Sequence, residues 1–480
     1  MKRNLRDDQI ANLESVLRCA EEFCRDAGTD FSHSPVGTNT VVLESGHQPN
    51  FLPHSGLLKK LYLLEFMSAR LGRQGISALP IFGFADYNLA TSRIIAQNKL
   101  PALNKPGYEK VGFKISGDDV WKRLTYIGKP DAARWKAELD KITGHYVKYP
   151  IPDETILAEV IEILEESYAH AKNFPDINAF FISKLSARLG LSIRFFRYSD
   201  LQEGGVFLDE WKKVFAGLGA YNITYNRAVS KCAPDIQTRP DDHVPFWYHC
   251  PCGAKVSLSI EDGHCRGRCA LCSREHMIDI GELDWEIKSM SPNAISRNVI
   301  FGEGLGTHIF ISGSGGGLTY GRVADEIAAA FGFNVPETIA WKSRDYYTGP
   351  AHRAAQRLLA SVCGVQEKQL LECNIARLVE ERKNELAQAS AQAADKKEAK
   401  KFDGQYRNLI STAAIIRDVY GTVPSFVDIL VTFGFKRTRA AWDDALAGYG
   451  GEKIISKDIV YENADTTGLY KNIEKMVLHD

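Results

Sequence analysis

The sequence has no stretch of about eighteen unbroken apolar residues, so it offers no candidate membrane-spanning helix. Neither sign of charge is in excess: 59 Lys and Arg stand against 60 Asp and Glu, a formal net charge of -1. That balance argues against a general coat for nucleic acid or for an anionic membrane, and leaves room for a local basic groove. The opening MKRNLRDDQIANLESV lacks the apolar stretch and small-residue cleavage site of a signal peptide, so the cytoplasm is the expected compartment. What remains is the profile of an ordinary folded protein. Its 480 residues, 44% apolar and 25% charged, suit two to four domains.

Residues 8–25 place Ile10, Leu13, Val16, Leu17, Ala20 and Cys24 on one helical face. VVLES, from Val41, reads as a short buried strand. It is followed by the loop SGHQPNFLPHSG, the apolar-periodic helix LLKKLYLLEFMSARLG and the strand ISALPIFGF. This order is the first βαβ unit of a parallel α/β sheet. SIRFFRYSD, from Ser192, predicts another strand, and Asp153 a helix cap. A strand, a glycine loop and a helix recur in THIFISGSGGGLTYGRVADEIAAAFGF. The expected divisions are an N-terminal helix (1–34), a core with a helical insert (35–245), a cysteine-rich insert (246–282), the rest of the core (283–350) and a helical region (351–480).

Five of the ten cysteines lie between Cys250 and Cys272. In a chain expected in the cytoplasm, such a cluster points to a metal rather than to disulfides. Cys269-x2-Cys272 has the spacing of a zinc-ribbon knuckle, and zinc takes four such ligands in a tetrahedron. Cys250, Cys252, Cys269 and Cys272 are the expected ligands of a structural zinc. The first pair has one intervening residue rather than two. His249-x2-Cys252 restores the usual spacing, so His249 is the alternative to Cys250, with His264 and Cys265 as further candidates.

Two loops could hold an anion. In a parallel sheet, ligands bind beyond the C-terminal strand ends, and a helix start aims free N–H groups at them. The first loop carries His47, Gln48, Asn50, His54 and Gly56. The second, Gly313-Ser314-Gly315-Gly316-Gly317, precedes Tyr320 and Arg322 and matches neither the Walker loop nor the dinucleotide fingerprint. Either loop could instead be a structural turn, and Asp86 a helix cap.

These pieces together resemble the family of the cysteine-adding enzyme of bacillithiol biosynthesis. Ser45-Gly46-His47-Gln48 is similar to its T-G-Q-Q loop, Ser55-Gly56-Leu57 to its helix start, and Asp86-Tyr87-Asn88 to its acidic motif. Ser291-Pro292-Asn293 with Arg297, then Gly313–Gly317 and Tyr320, is similar to its S-P-N…R motif and glycine loop. The likeness covers roughly 38–98 and 284–345. His47-Gln-Pro-Asn-Phe-Leu-Pro53 also resembles the opening of the WbqC-like family. The first resemblance implies a Rossmann-like parallel core related to class I synthetases and nucleotidyltransferases. It also implies an ATP site, with Mg, and ligation of an amino acid such as cysteine to an amine.

On that reading His47 and His54 serve the phosphates, Asp86 the substrate's amino group, and Arg297, Asn293 and Ser291 a phosphate or carboxylate. Gln48, Asn50, Gly56, Asn88, the glycines 313–317 with Ser314, Tyr320 and Arg322 complete the nucleotide and substrate contacts. The alternative is an RNA- or protein-binding module. Arg266, Arg268 and Arg274 make the cysteine-rich insert look locally basic, which would suit RNA or a carrier protein. A dihistidine nucleotidyltransferase signature would need a histidine near Leu57, where leucine stands.

Overall fold

A computed structural model describes residues 3–31, 35–279, 281, 283–313, 316–462 and 464–476. Its centre is a six-stranded, wholly parallel sheet. In chain order the strands are β1 (Val41–His47), β2 (Ala78–Phe84), β3 (Arg194–Arg197), β4 (Ile309–Ser312), β5 (Glu337–Lys342) and β6 (Ile454–Ser456). Across the sheet they run 3-2-1-4-5-6. The chain therefore starts in the middle, builds one half outward and returns to build the other, leaving a reversal between β1 and β4.

Such a sheet is buried on both faces, so its strands read as apolar runs rather than alternations. Val42, Leu79 and Ile81 pack with Leu13, Val16 and Leu17 of α1 (Asp7–Ala27). Leu43, Phe82, Phe84 and Ile311 point the other way, onto Leu57, Leu58, Leu61 and Leu64 of α2 (Ser55–Arg73). Truncating one of these leucines, all under 5% exposed, costs about 2–5 kcal/mol. The helices α3 (Ala294–Gly304) and α4 (Gly316–Ala330) follow the reversal. Asp153 does cap its helix, accepting the Thr155 N–H at 2.9 Å.

A second, antiparallel sheet of five strands spans 243–292. Its order is Met290–Pro292, His243–His249, Lys255–Glu261, His264–Arg268, Glu275–Ile278. The stretch 246–282 holds most of this sheet, which extends beyond it to His243 and to Met290–Pro292. The region 351–480, expected to be helical, also gives a strand: β6 pairs with β5 and closes the main sheet's edge. Neither β5 nor β6 stands out in the sequence.

Glu44 lies on β1 inside the core, 3% exposed, and accepts a hydrogen bond from Thr307 Oγ1 at 2.5 Å. Burial pushes its carboxyl from 4.5 up to about 7. Because the folded state favours the protonated acid, that contribution is fully present below about pH 4.5 and is lost as pH rises through about 7. Glu44→Gln, neutral throughout, should therefore gain about 1–3 kcal/mol on wild type between pH 5 and pH 8. Urea midpoints at the two pH values measure this; parallel pH profiles would refute it.

Candidate functional site

A cavity of about 530 Å³ opens at the C-terminal ends of β1 and β4, where the strand order reverses. First-turn residues of three helices line it: Gly56 of α2, Ala294 of α3 and Gly317 of α4. Each helix start brings the positive end of its dipole. Of the residues singled out above, His47, Gln48, Asn50, His54, Gly56, Asn88, Arg297, Gly313, Gly317 and Tyr320 line the cavity. Ser314 and Gly315 lie outside the described residues, and Gly316 opens α4.

The first loop is held from several sides. Asn178 Nδ2 donates to the carbonyls of Pro49 (2.9 Å) and Ile95 (3.0 Å), and Asn98 to that of Leu52. The Phe426 N–H reaches the Pro53 carbonyl at 2.8 Å. Leu52 sits at φ +43°, a conformation a leucine adopts only when its surroundings impose it. At the loop's start, a Cβ on Gly46 would fall onto the Tyr198 hydroxyl, so only glycine fits there.

Two cations face the cavity. Lys60, on the second turn of α2, reaches the β1–β4 crevice and donates from Nζ to the Gly46 carbonyl at 3.2 Å. Arg297, on α3, lays its guanidinium over the Tyr198 ring at 5.1 Å. Neither has a carboxylate in ion-pair range among the described residues. Its neighbour Lys59, by contrast, pairs with Asp345 at 3.0 Å. Burial, with the Arg297 charge, pushes the Lys60 ammonium down to about 8. Lys60 was not anticipated: a lysine pair inside LLKKLYLLEF reads as the solvated edge of an apolar helix.

The histidines take different roles from those expected. His47 Nδ1 donates to the Gln48 carbonyl at 2.9 Å, and burial, then Lys60, pushes the ring down to about 3. A neutral imidazole with its N–H already used offers a phosphate neither charge nor donor. His54 Nδ1 likewise donates to the Pro424 carbonyl at 2.9 Å.

Four other expected residues sit outside the cavity. Asp86 accepts the Ser199 N–H at 3.0 Å and the Ser199 hydroxyl, so it caps the turn after β3. Asn293 caps α3, accepting from the N–H groups of Ile295 (2.9 Å) and Ser296 (3.0 Å). Ser291 Oγ accepts from His249 Nε2 at 2.9 Å, and Arg322 is exposed on α4. One acceptor, on Asn298, was missed. Asn50 Oδ1 and Asn298 Oδ1, on cavity residues, are buried with no hydrogen-bond partner.

The second constellation is the cysteine cluster. The thiols of Cys250, Cys252, Cys269 and Cys272 lie within 4.8 Å of one another. Cys250–Cys272 and Cys252–Cys269 stand 3.5 Å apart. Four sulfurs around zinc at about 2.3 Å are separated by about 3.8 Å, so the donor set fits the metal. The one-residue first knuckle closes because Gly253 adopts φ +98° and returns its N–H to the Cys250 carbonyl at 2.9 Å. His249 turns away, its Nδ1 accepting from Arg123 at 3.0 Å, and Cys265 is buried among apolar side chains. Four thiolates leave no open coordination position, which suits a structural ion.

Comparison of the chain with protein-family models and with curated proteins gives no match. Among the described residues no helix is long and apolar enough to cross a membrane.

The purified protein should carry about one zinc per chain by elemental analysis. Cys269→Ser should lose most of it and melt at lower temperature, because the binding energy of a structural site is folding energy. His249→Ala should keep the metal; loss of zinc there would reassign the ligand set.

Proposed function

We propose that the chain is an ATP-dependent ligase on a Rossmann-like core, activating the carboxylate of an amino acid and passing the acyl group to an amine. The observation that carries this reading is the pair of cations with no carboxylate in ion-pair range, Lys60 and Arg297, facing one cavity with three helix starts. Both side chains are half-buried, and a ligand's phosphate or carboxylate supplies the counter-charge they lack. The 3-2-1-4-5-6 strand order supports a nucleotide, since doubly wound sheets take such ligands at the reversal. The motif resemblance to the cysteine-adding family points the same way.

In the reaction, a carboxylate oxygen attacks a phosphorus of ATP and expels ADP or pyrophosphate. The amine then attacks the acyl carbon, the phosphate or AMP departs with the bonding electrons, and the amine loses a proton to solvent. Both steps place developing negative charge on phosphate oxygens, which Lys60 and Arg297 stabilise in a site shielded from water. Asn50 Oδ1 and Asn298 Oδ1 accept from the amino group, the part expected of Asp86. His47 and His54 shape the first loop, and the neutral His47 offers Nε2 as acceptor. Mg, when bound with ATP, supplies further charge neutralisation.

The RNA-binding alternative loses ground on charge. The stretch 246–282 carries four Lys and Arg against five Asp and Glu, and four zinc-bound thiolates add further negative charge.

ATP should raise the melting temperature, and one or a few small amino acids should trigger pyrophosphate or ADP release. Lys60→Met should lower that turnover by about a hundredfold or more while leaving zinc content and fold intact. Unchanged turnover in this variant would discard the site.

A further inference from the structure

The positive charge does not end at Arg297. Behind it Tyr198 stacks on Tyr87 with ring centres 5.7 Å apart. Arg297 covers the Tyr198 ring at 5.1 Å, and Lys255 covers the Tyr87 ring with its ammonium at 4.7 Å. Lys255 has no carboxylate in ion-pair range among the described residues. Burial, then the charges of Arg123 and Arg297, pushes its ammonium down to about 7.

A third cation closes the group. Arg123 donates from Nη1 to His249 Nδ1 at 3.0 Å, while its Nε is buried without a partner. The Tyr87 hydroxyl, on a side chain 1% exposed, lies against the Arg297 guanidinium. Asp86, the acid whose charge reaches Lys255, already accepts two hydrogen bonds from Ser199. Three cations and an orphaned N–H therefore share one junction between the two sheets. That is the composition of an anion site.

The metal knuckle sets this junction. Lys255 follows Cys250-Pro-Cys252-Gly-Ala directly, and the Cys250 N–H donates to the Ala254 carbonyl at 3.0 Å. The Arg123 N–H donates to the Gly253 carbonyl at 2.8 Å. The same turn that presents two thiols therefore fixes both new cations.

We propose that Lys255, Arg123 and Arg297 form a second anion subsite adjoining the cavity, which takes a phosphate or carboxylate group separate from the one at Lys60. The proposal rests on the ligase reading and deepens it. The amine acceptor is then itself an anion, or the nucleotide's own polyphosphate spans both subsites.

Calorimetric titration of the zinc-loaded protein with ATP, and of the ATP-saturated protein with inorganic phosphate, tests this. If the subsite serves a separate anion, Lys255→Met keeps ATP affinity within about twofold and weakens phosphate by about tenfold or more. If the polyphosphate spans both, the loss falls on ATP instead. In either case Lys255→Arg restores binding, and zinc content is unchanged. Should Lys255→Met fail to fold, Arg123→Gln carries the same comparison. ATP and phosphate affinities unchanged in the variant would overturn the subsite while leaving the ligase reading standing. Wild type that binds neither would overturn both.

Discussion

Uncompensated positive charge at the meeting of β1 and β4 is the constraint around which the molecule is arranged. A folded chain normally pairs a buried lysine, as this one does at Lys59 with Asp345. At Lys60 it does not, and Arg297 on a different helix repeats the omission. The neighbouring elements then follow. Three helices begin at the same crevice. Glycine 46 admits Tyr198 as a floor for Arg297. The histidine loop is fixed by asparagines from other elements, independently of anything in the cavity it faces. A site held this way has its charges in position before anything binds.

Much of the framework was legible in the sequence, for a plain reason. β1, β2, β4, α1 and α2 bury whole apolar stripes, and a stripe survives in the letters of the chain. Asp153 was legible because a cap is a local interaction. β5 and β6 were not, because ETIAWK is amphipathic and IIS is three residues long; only their neighbours make them strands.

The site was legible in its loops and illegible in its charges. The loops announce themselves through glycine, proline and histidine. Which cation lacks a partner cannot be read from one sequence, since pairing is decided by residues hundreds of positions away. Lys60 beside Lys59 shows this most clearly: the same residue type, adjacent in the chain, with opposite electrostatic situations. Asp86 errs in the converse way. Its acidity suggested a ligand, and its carboxylate is spent on Ser199. The four clustered cysteines were legible because cysteine spacing is itself local, and the odd first spacing closes through the Gly253 turn.

β6 has a consequence for biosynthesis. It is the outermost strand, yet it emerges from the ribosome more than a hundred residues after β5, beyond a run of helices. Until then the backbone groups along the exposed side of β5 stand open to any passing strand, a hazard for nascent polypeptides. The helices at 350–446 are made in that interval, and a chaperone holding the incomplete edge would guard the polypeptide until its last strand arrives.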